Sequence, residues 1–163
     1  MPAKQIAFAL ITFLHDLFTA IWVGGLITLG LTVLPAARKV LGMGPETRQL
    51  MQAIQRRLSR LVYAAIVVLA VTGMLLARRS PAFQGVLSFA TPYATVLSLK
   101  HILVLLMIVL ALVRSLALGG ATAPSTPAQE KRKVALLLLN MVLGVLVLLL
   151  SGFSAALGAP PPL

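Results

Sequence analysis

The chain contains two histidines, and each lies inside a long apolar segment. His15 falls in the run 6–34, and His101 falls in a second run that begins near Tyr93. An imidazole is costly to place in hydrocarbon, so an intramembrane histidine indicates a functional site by default. Imidazole is also a common metal ligand. Two histidines in one small bundle therefore predict a site for a cofactor or a metal.

Two charged residues accompany the histidines. Asp16 follows His15 directly, and Lys100 directly precedes His101; no other acidic or basic residue lies deep in these runs. One expectation is an ion pair between helices, because a lone buried charge is much costlier than a paired one. The other is that Asp16 orients an imidazole while Lys100 binds a propionate or a substrate carboxylate.

Further candidate ligand contacts share the helix face of His15. Thr19 and Trp22 follow it at i+4 and i+7, which places them on one side of a helix. Gly25 follows shortly after and could give room either for a close helix contact or for a flat macrocycle. Small residues also occur in later apolar runs, namely Thr72, Gly73, Ser151, Gly152 and Ser154.

The composition defines the fold class that must position these residues. Hydrophobic residues make up 60% of the 163 residues, and the mean hydropathy is +1.02. A helix needs about 20 residues to cross ~30 Å of hydrocarbon. Four apolar segments meet this length, at about 6–34, 61–77, 93–118 and 134–157. We predict one all-α domain over residues 1–163, a four-helix up-down transmembrane bundle whose first helix is not cleaved.

The net charge of +11 is concentrated in two connections. Basic residues there are Arg38, Lys39, Arg48, Arg56, Arg57, Arg60, Lys131, Arg132 and Lys133. This placement indicates membrane topology instead of nucleic-acid binding, and the positive-inside rule makes both connections cytoplasmic and both termini outward. We expect a multi-pass protein of a prokaryotic-type inner membrane.

Three connecting segments have distinct compositions. Residues 46–60 form a basic amphipathic lead-in to the second helix, suited to anionic lipid head groups or to docking a partner. Residues 82–91 could lie over the outer mouth of the bundle. Gly119 to Gln129 has the composition of a flexible linker, and the first helix is expected to end at Leu34–Pro35.

Helical spacing places the two histidines at similar depths. His15 is nine residues from Ile6, about 14 Å along the helix axis, and His101 is eight residues from Tyr93, about 12 Å. Helices packed 8 to 10 Å apart leave a diagonal of roughly 11 to 14 Å in a square bundle. This gap suits b-type haem between two axial imidazoles. A haem or metal ion on a single histidine, and a purely structural pair, remain alternatives.

The motifs resemble a known membrane family. The pattern His15-x6-Trp22-x-Gly24-Gly25-Leu26, ending in Leu34-Pro35-Ala36-x-Arg38, is similar to the first helix of the CopD (copper resistance protein D) membrane domain. Val71-Thr72-Gly73 and Leu99-Lys100 resemble its later helices. This resemblance implies copper handling in the inner membrane. The chain has no cysteine and no methionine cluster in its sequence to transfer copper.

A second resemblance is to the HemJ-type protoporphyrinogen oxidases, a related four-helix group. It implies b-type haem, with His15 and Lys100 as the essential residues. Our main prediction is a haem protein that acts in electron transfer or haem-dependent oxidation. We expect it to lie in the lipid bilayer, with a redox protein or a quinone as partner, and a homo-oligomer is one candidate assembly. Copper transport, porphyrinogen oxidation and a cofactor-free accessory subunit are the competing functions.

Overall fold

The computed structural model describes residues 2–81, 83–117 and 126–158. They form four long helices: α1 (Ala3–Leu41), α2 (Pro45–Arg79), α3 (Pro92–Leu112, followed by a π-helical turn, Val113–Ala117) and α4 (Pro127–Gly158). Each helix is long and apolar enough to cross a membrane, and the described residues contain no strand. The all-α membrane class is confirmed, and the up-down order stays a prediction.

Helix α1 runs past the proline that was expected to end it. It contains two π-helical segments, Ala20–Gly24 and Thr28–Val33, and the second lies just before Pro35. Proline lacks an N–H and its ring clashes with the carbonyl four residues earlier. A wider π-helical turn changes this hydrogen-bond pattern, so the helix continues to Gly42, where a φ of 70° ends it.

The basic lead-in is not a separate interfacial helix. Residues 46–60 belong to the same uninterrupted helix as the second apolar segment, α2, which is 35 residues long. Thr47 and Met51 are buried on its inner face, whereas Arg56 and Arg57 are exposed. The predicted amphipathic pattern is therefore present, and it extends a membrane-spanning helix.

Local hydrogen bonds hold the described parts of two connections. Ser98 Oγ in α3 donates to the carbonyl of Ser88 at 2.7 Å and accepts from its N–H at 2.8 Å. Thr126 and Gln129 cap the start of α4 reciprocally, side chain to backbone N–H, so the predicted linker ends earlier than expected. Residues 119–125 of that linker lie outside the described residues.

Helix pairing leaves space inside the bundle. The most extensive contacts join α1 to α2 and α3 to α4, and the middle of α1 also packs on α4. Helices α2 and α3 make little direct contact. The tightest part of the core contains Leu26, Leu29, Met107 and Leu137, each at most 2% exposed. The remaining space forms a cavity between the helices.

Candidate functional site

A cavity of about 460 Å³ brings together residues from all four helices. Its lining includes His15 and Trp22 from α1, Lys100 and His101 from α3, and Ser151 from α4. Cofactor and small-molecule sites commonly occupy about 300 to 1,000 Å³. The two histidines, separated by 86 positions in the chain, thus border one space large enough for an organic ligand.

The hydrogen-bond contacts of His15 favour one tautomer. Its Nδ1 atom lies 2.9 Å from Oγ1 of Thr72, and that hydroxyl donates its single proton to the carbonyl of Val68 at 2.7 Å. With that proton on Val68, Thr72 accepts from Nδ1–H of His15. In the neutral imidazole, Nε2 then carries the free lone pair. A ring held in this way has an orienting partner of the kind that metal-binding histidines use.

Gly73 gives the His15 ring its space. A Cβ atom at this position would lie 3.3 Å from Cε1 of His15, closer than nearly all such contacts. Glycine therefore allows α2 to approach the imidazole edge, while the preceding Thr72 bonds its Nδ1. The sequence pattern Thr72-Gly73 positions His15 from the neighbouring helix.

Two ring nitrogens at the cavity have no hydrogen-bond partner of good geometry among the described residues. One is Nε1 of Trp22, a residue that is only 2% exposed. Nδ1 of His101 is also buried without a partner of good geometry, with the backbone of Leu97 and Val86 close to the ring. Buried polar atoms are nearly always paired in folded proteins, so Nε1 of Trp22 marks a place where a ligand can bond, whereas Nδ1 of His101 faces backbone carbonyls.

Lys100 lines the cavity, but Asp16 does not. The Asp16 side chain is exposed, and Lys100 forms no ion pair within 4 Å in the described part of the chain. The Asp16 carboxylate is still near enough for its charge to act on both His15 and Lys100. Thr72, not Asp16, orients the imidazole, and the cavity ammonium has no bonded counter-ion among the described residues.

Two further predicted ligand contacts are Thr19 and Gly25, and only Thr19 borders the cavity. Thr19 lines the cavity, and its hydroxyl donates to the carbonyl of His15 at 2.8 Å. Gly25 does not line it; a Cβ there would meet Cδ1 of Leu58 at 2.8 Å, so this glycine serves the packing of α1 on α2.

Two methionines at the site were not among the predicted site residues. Met74 of α2 and Met107 of α3 both line the cavity, although methionines are scattered along the chain. Thioethers favour Cu(I), and imidazole also binds copper. Within the described residues, no three His, Cys, Asp or Glu side chains come together as a metal-binding group.

The fold defines a multi-pass membrane protein with a cavity between its helices. The family model described as Copper resistance protein D matches residues 52–154. Since this match covers more than half of the chain, the protein belongs to the copper resistance protein D family. No curated protein and no solved structure matches it significantly. The matched region includes Thr72, Lys100 and His101, and it begins after His15.

Proposed function

We propose that this protein binds b-type haem in the cavity and acts in electron transfer or haem-dependent oxidation within the membrane. The observation that carries the proposal is the shared lining of one 460 Å³ cavity by both histidines. The tautomer of His15 supports it, because Nδ1 is bonded to Thr72 and Nε2 is left as a ligand atom.

The size and charge of the cavity favour an organic cofactor over a bare ion. A single metal ion needs much less space than this cavity offers. The walls are mostly apolar, as suits a macrocycle, and Lys100 supplies a positive charge for a carboxylate. The same ammonium would repel a cation bound nearby.

Each residue then has a defined task. His15 and His101 would hold the haem iron, and Thr72 holds the His15 ring. Lys100 would bind a propionate, and Trp22 would cover one side of the ligand. When bound, haem supplies a reversible one-electron couple whose potential depends on its axial ligands.

An absorption spectrum of the purified protein tests the proposal. Protein from haem-replete cells should show the sharp α and β bands of low-spin haem after reduction. His15→Ala and His101→Ala should each abolish these bands or convert them to a high-spin spectrum, while helix content by circular dichroism is retained. A colourless wild-type protein would contradict the proposal.

Copper, as a transported substrate, is the second candidate. It is supported by the family and by Met74 and Met107, which add two thioethers to the cavity lining. Under this alternative, Met107→Leu should change copper accumulation in expressing cells. Met141→Leu is the matched control, since that methionine packs near Gly30 and does not line the cavity. If copper accumulation is the same in both variants as in the wild type, the result counts against copper transport.

We also propose that both termini face outward in a prokaryotic-type inner membrane. The basic residues of the connections support this orientation through the positive-inside rule. The chain has no cysteine, so a single cysteine can be introduced at Met43 or at Ala90. An impermeant maleimide applied to intact spheroplasts should label Ala90→Cys and spare Met43→Cys. The reverse pattern would overturn the orientation. Four other expectations stay predictions: a redox protein or quinone partner, a homo-oligomer, HemJ-like oxidation and an accessory role.

A further inference from the structure

A second cavity lies at the opposite end of the bundle from the histidine cavity. It has a volume of about 160 Å³ and is bordered by the end of α1 and the starts of α2 and α4. Its apolar floor includes Leu34, Met51 and Leu137, which are 7%, 8% and 1% exposed. None of the chemistry proposed above uses this cavity.

The rim of this cavity is strongly basic. Four basic side chains line it, with one acidic side chain, Glu130. The Glu130 carboxylate is 3.4 Å from the ammonium of Lys133, which offsets its charge. Arg38, Arg48 and Lys131 are exposed at the rim, and each comes from a different helix. Three helices therefore direct an excess of positive charge to one small space, which favours an anionic ligand.

The combination of a basic rim and an apolar floor identifies the class of anion. A soluble phosphate compound would gain nothing from the apolar floor. A phospholipid presents a phosphate directly above its glycerol esters and apolar acyl chains. Basic pockets between transmembrane helices bind anionic lipid head groups in this way. We propose that this cavity is a binding site for the phosphodiester head group of an anionic phospholipid.

Lipid retention by the full-length protein tests this site. The protein in neutral detergent is titrated with phosphatidylglycerol, or with phosphatidylcholine of equal chain length, and the bound lipid is measured by native mass spectrometry. The wild type should retain phosphatidylglycerol selectively. The double variant Arg38→Gln with Arg48→Gln should bind it about 30-fold more weakly, the loss expected from two surface charges of about 1 kcal/mol each.

The matched control removes the same charge elsewhere. Arg56→Gln with Arg57→Gln changes two exposed arginines of α2 that do not line the cavity, and it should bind within about threefold of wild type. Equal losses in both double variants would overturn the site in favour of diffuse attraction. Equal competition by the deacylated head group, glycerophosphoglycerol, would also overturn it, since the anion would then be soluble. If the first variant misfolds, equal retention of both lipids by the wild type still refutes the proposal.

Discussion

The hydrogen bond between His15 and Thr72 can be removed with little change of shape. Thr72→Val replaces the hydroxyl by a methyl group, so Nδ1–H loses the acceptor now 2.9 Å away. The ring can then adopt the other tautomer or rotate, and Nε2 is no longer held as the lone-pair atom. Loss of such an orienting partner typically lowers metal affinity 10- to 100-fold. We expect a loss of this size in haem affinity, about 1.4 to 2.8 kcal/mol.

Two measurements check this expectation separately. Haem titration of the apoprotein, followed by absorbance, gives the affinity. Nitrogen NMR of protein labelled at histidine gives the tautomer, and the spectrum is simple because the chain has two histidines. In the wild-type apoprotein, the His15 ring should be protonated at Nδ1 and unprotonated at Nε2. His101→Gln assigns its signals.

Control variants separate the hydrogen bond from general damage. Thr12→Val removes a hydroxyl that is exposed and bonds only the carbonyl of Phe8, so it should leave haem affinity unchanged. Thr72→Ser keeps the acceptor and should restore most of the affinity. The reasoning fails if Thr72→Val folds and binds haem as tightly as wild type. An apoprotein with Nε2 of His15 protonated would refute the tautomer whether or not haem binds.

Gly73→Ala places a methyl group 3.3 Å from an imidazole carbon and should lower haem retention severalfold, whereas Gly152→Ala has open space and should not; absorbance at equal protein concentration compares them. Asp16→Asn should change the free energy of unfolding by less than about 0.5 kcal/mol, as at other exposed positions. Lys100→Met should lower haem retention, and the double variant Asp16→Asn with Lys100→Met should not restore it. A buried ion pair would be indicated instead if thermal unfolding showed that Asp16→Asn alone costs about 3 to 5 kcal/mol and that the double variant regains this stability. Asn140→Leu removes a buried amide oxygen without a partner and should stabilise the protein by about 1 kcal/mol in denaturant titrations, so a lower midpoint would contradict this.

Hydropathy predicted the four helices well but placed their ends poorly. Length and apolarity are local properties of the chain, so the helices around His15 and His101 could be recognised directly. The predicted end of α1 at Leu34–Pro35 was wrong because proline was treated as a helix stop. The π-helical segment Thr28–Val33 removes that restriction, and a linear pattern of residue types does not reveal such a segment.

The sequence allowed His15 and His101 to be chosen as candidate ligands, but it did not identify Thr72 as the residue that bonds the His15 ring. Depth along each helix pointed to one level for His15 and His101, and both border the same cavity. The role of Thr72 depends on a contact across 57 positions, and its type alone fitted helix packing equally well. Asp16 was one of two expectations for its role, an orienting residue or an ion-pair partner, because it is adjacent in sequence to His15. Adjacent residues lie on different sides of a helix, and so its side chain is exposed while His15 faces α2.

Two polar groups of the cavity bear on the choice between the two proposed ligands. Nε1 of Trp22 can only donate a hydrogen bond, and it is buried without an acceptor among the described residues. Lys100 carries a positive charge with no ion pair among the described residues. A copper ion offers no acceptor to the indole and is repelled by the ammonium. An organic ligand that bears carboxylates can accept from the first and neutralise the second, and its metal can bind Nε2 of His15. These two groups therefore support the proposed anionic cofactor, whereas Met74 and Met107 support copper as the second candidate.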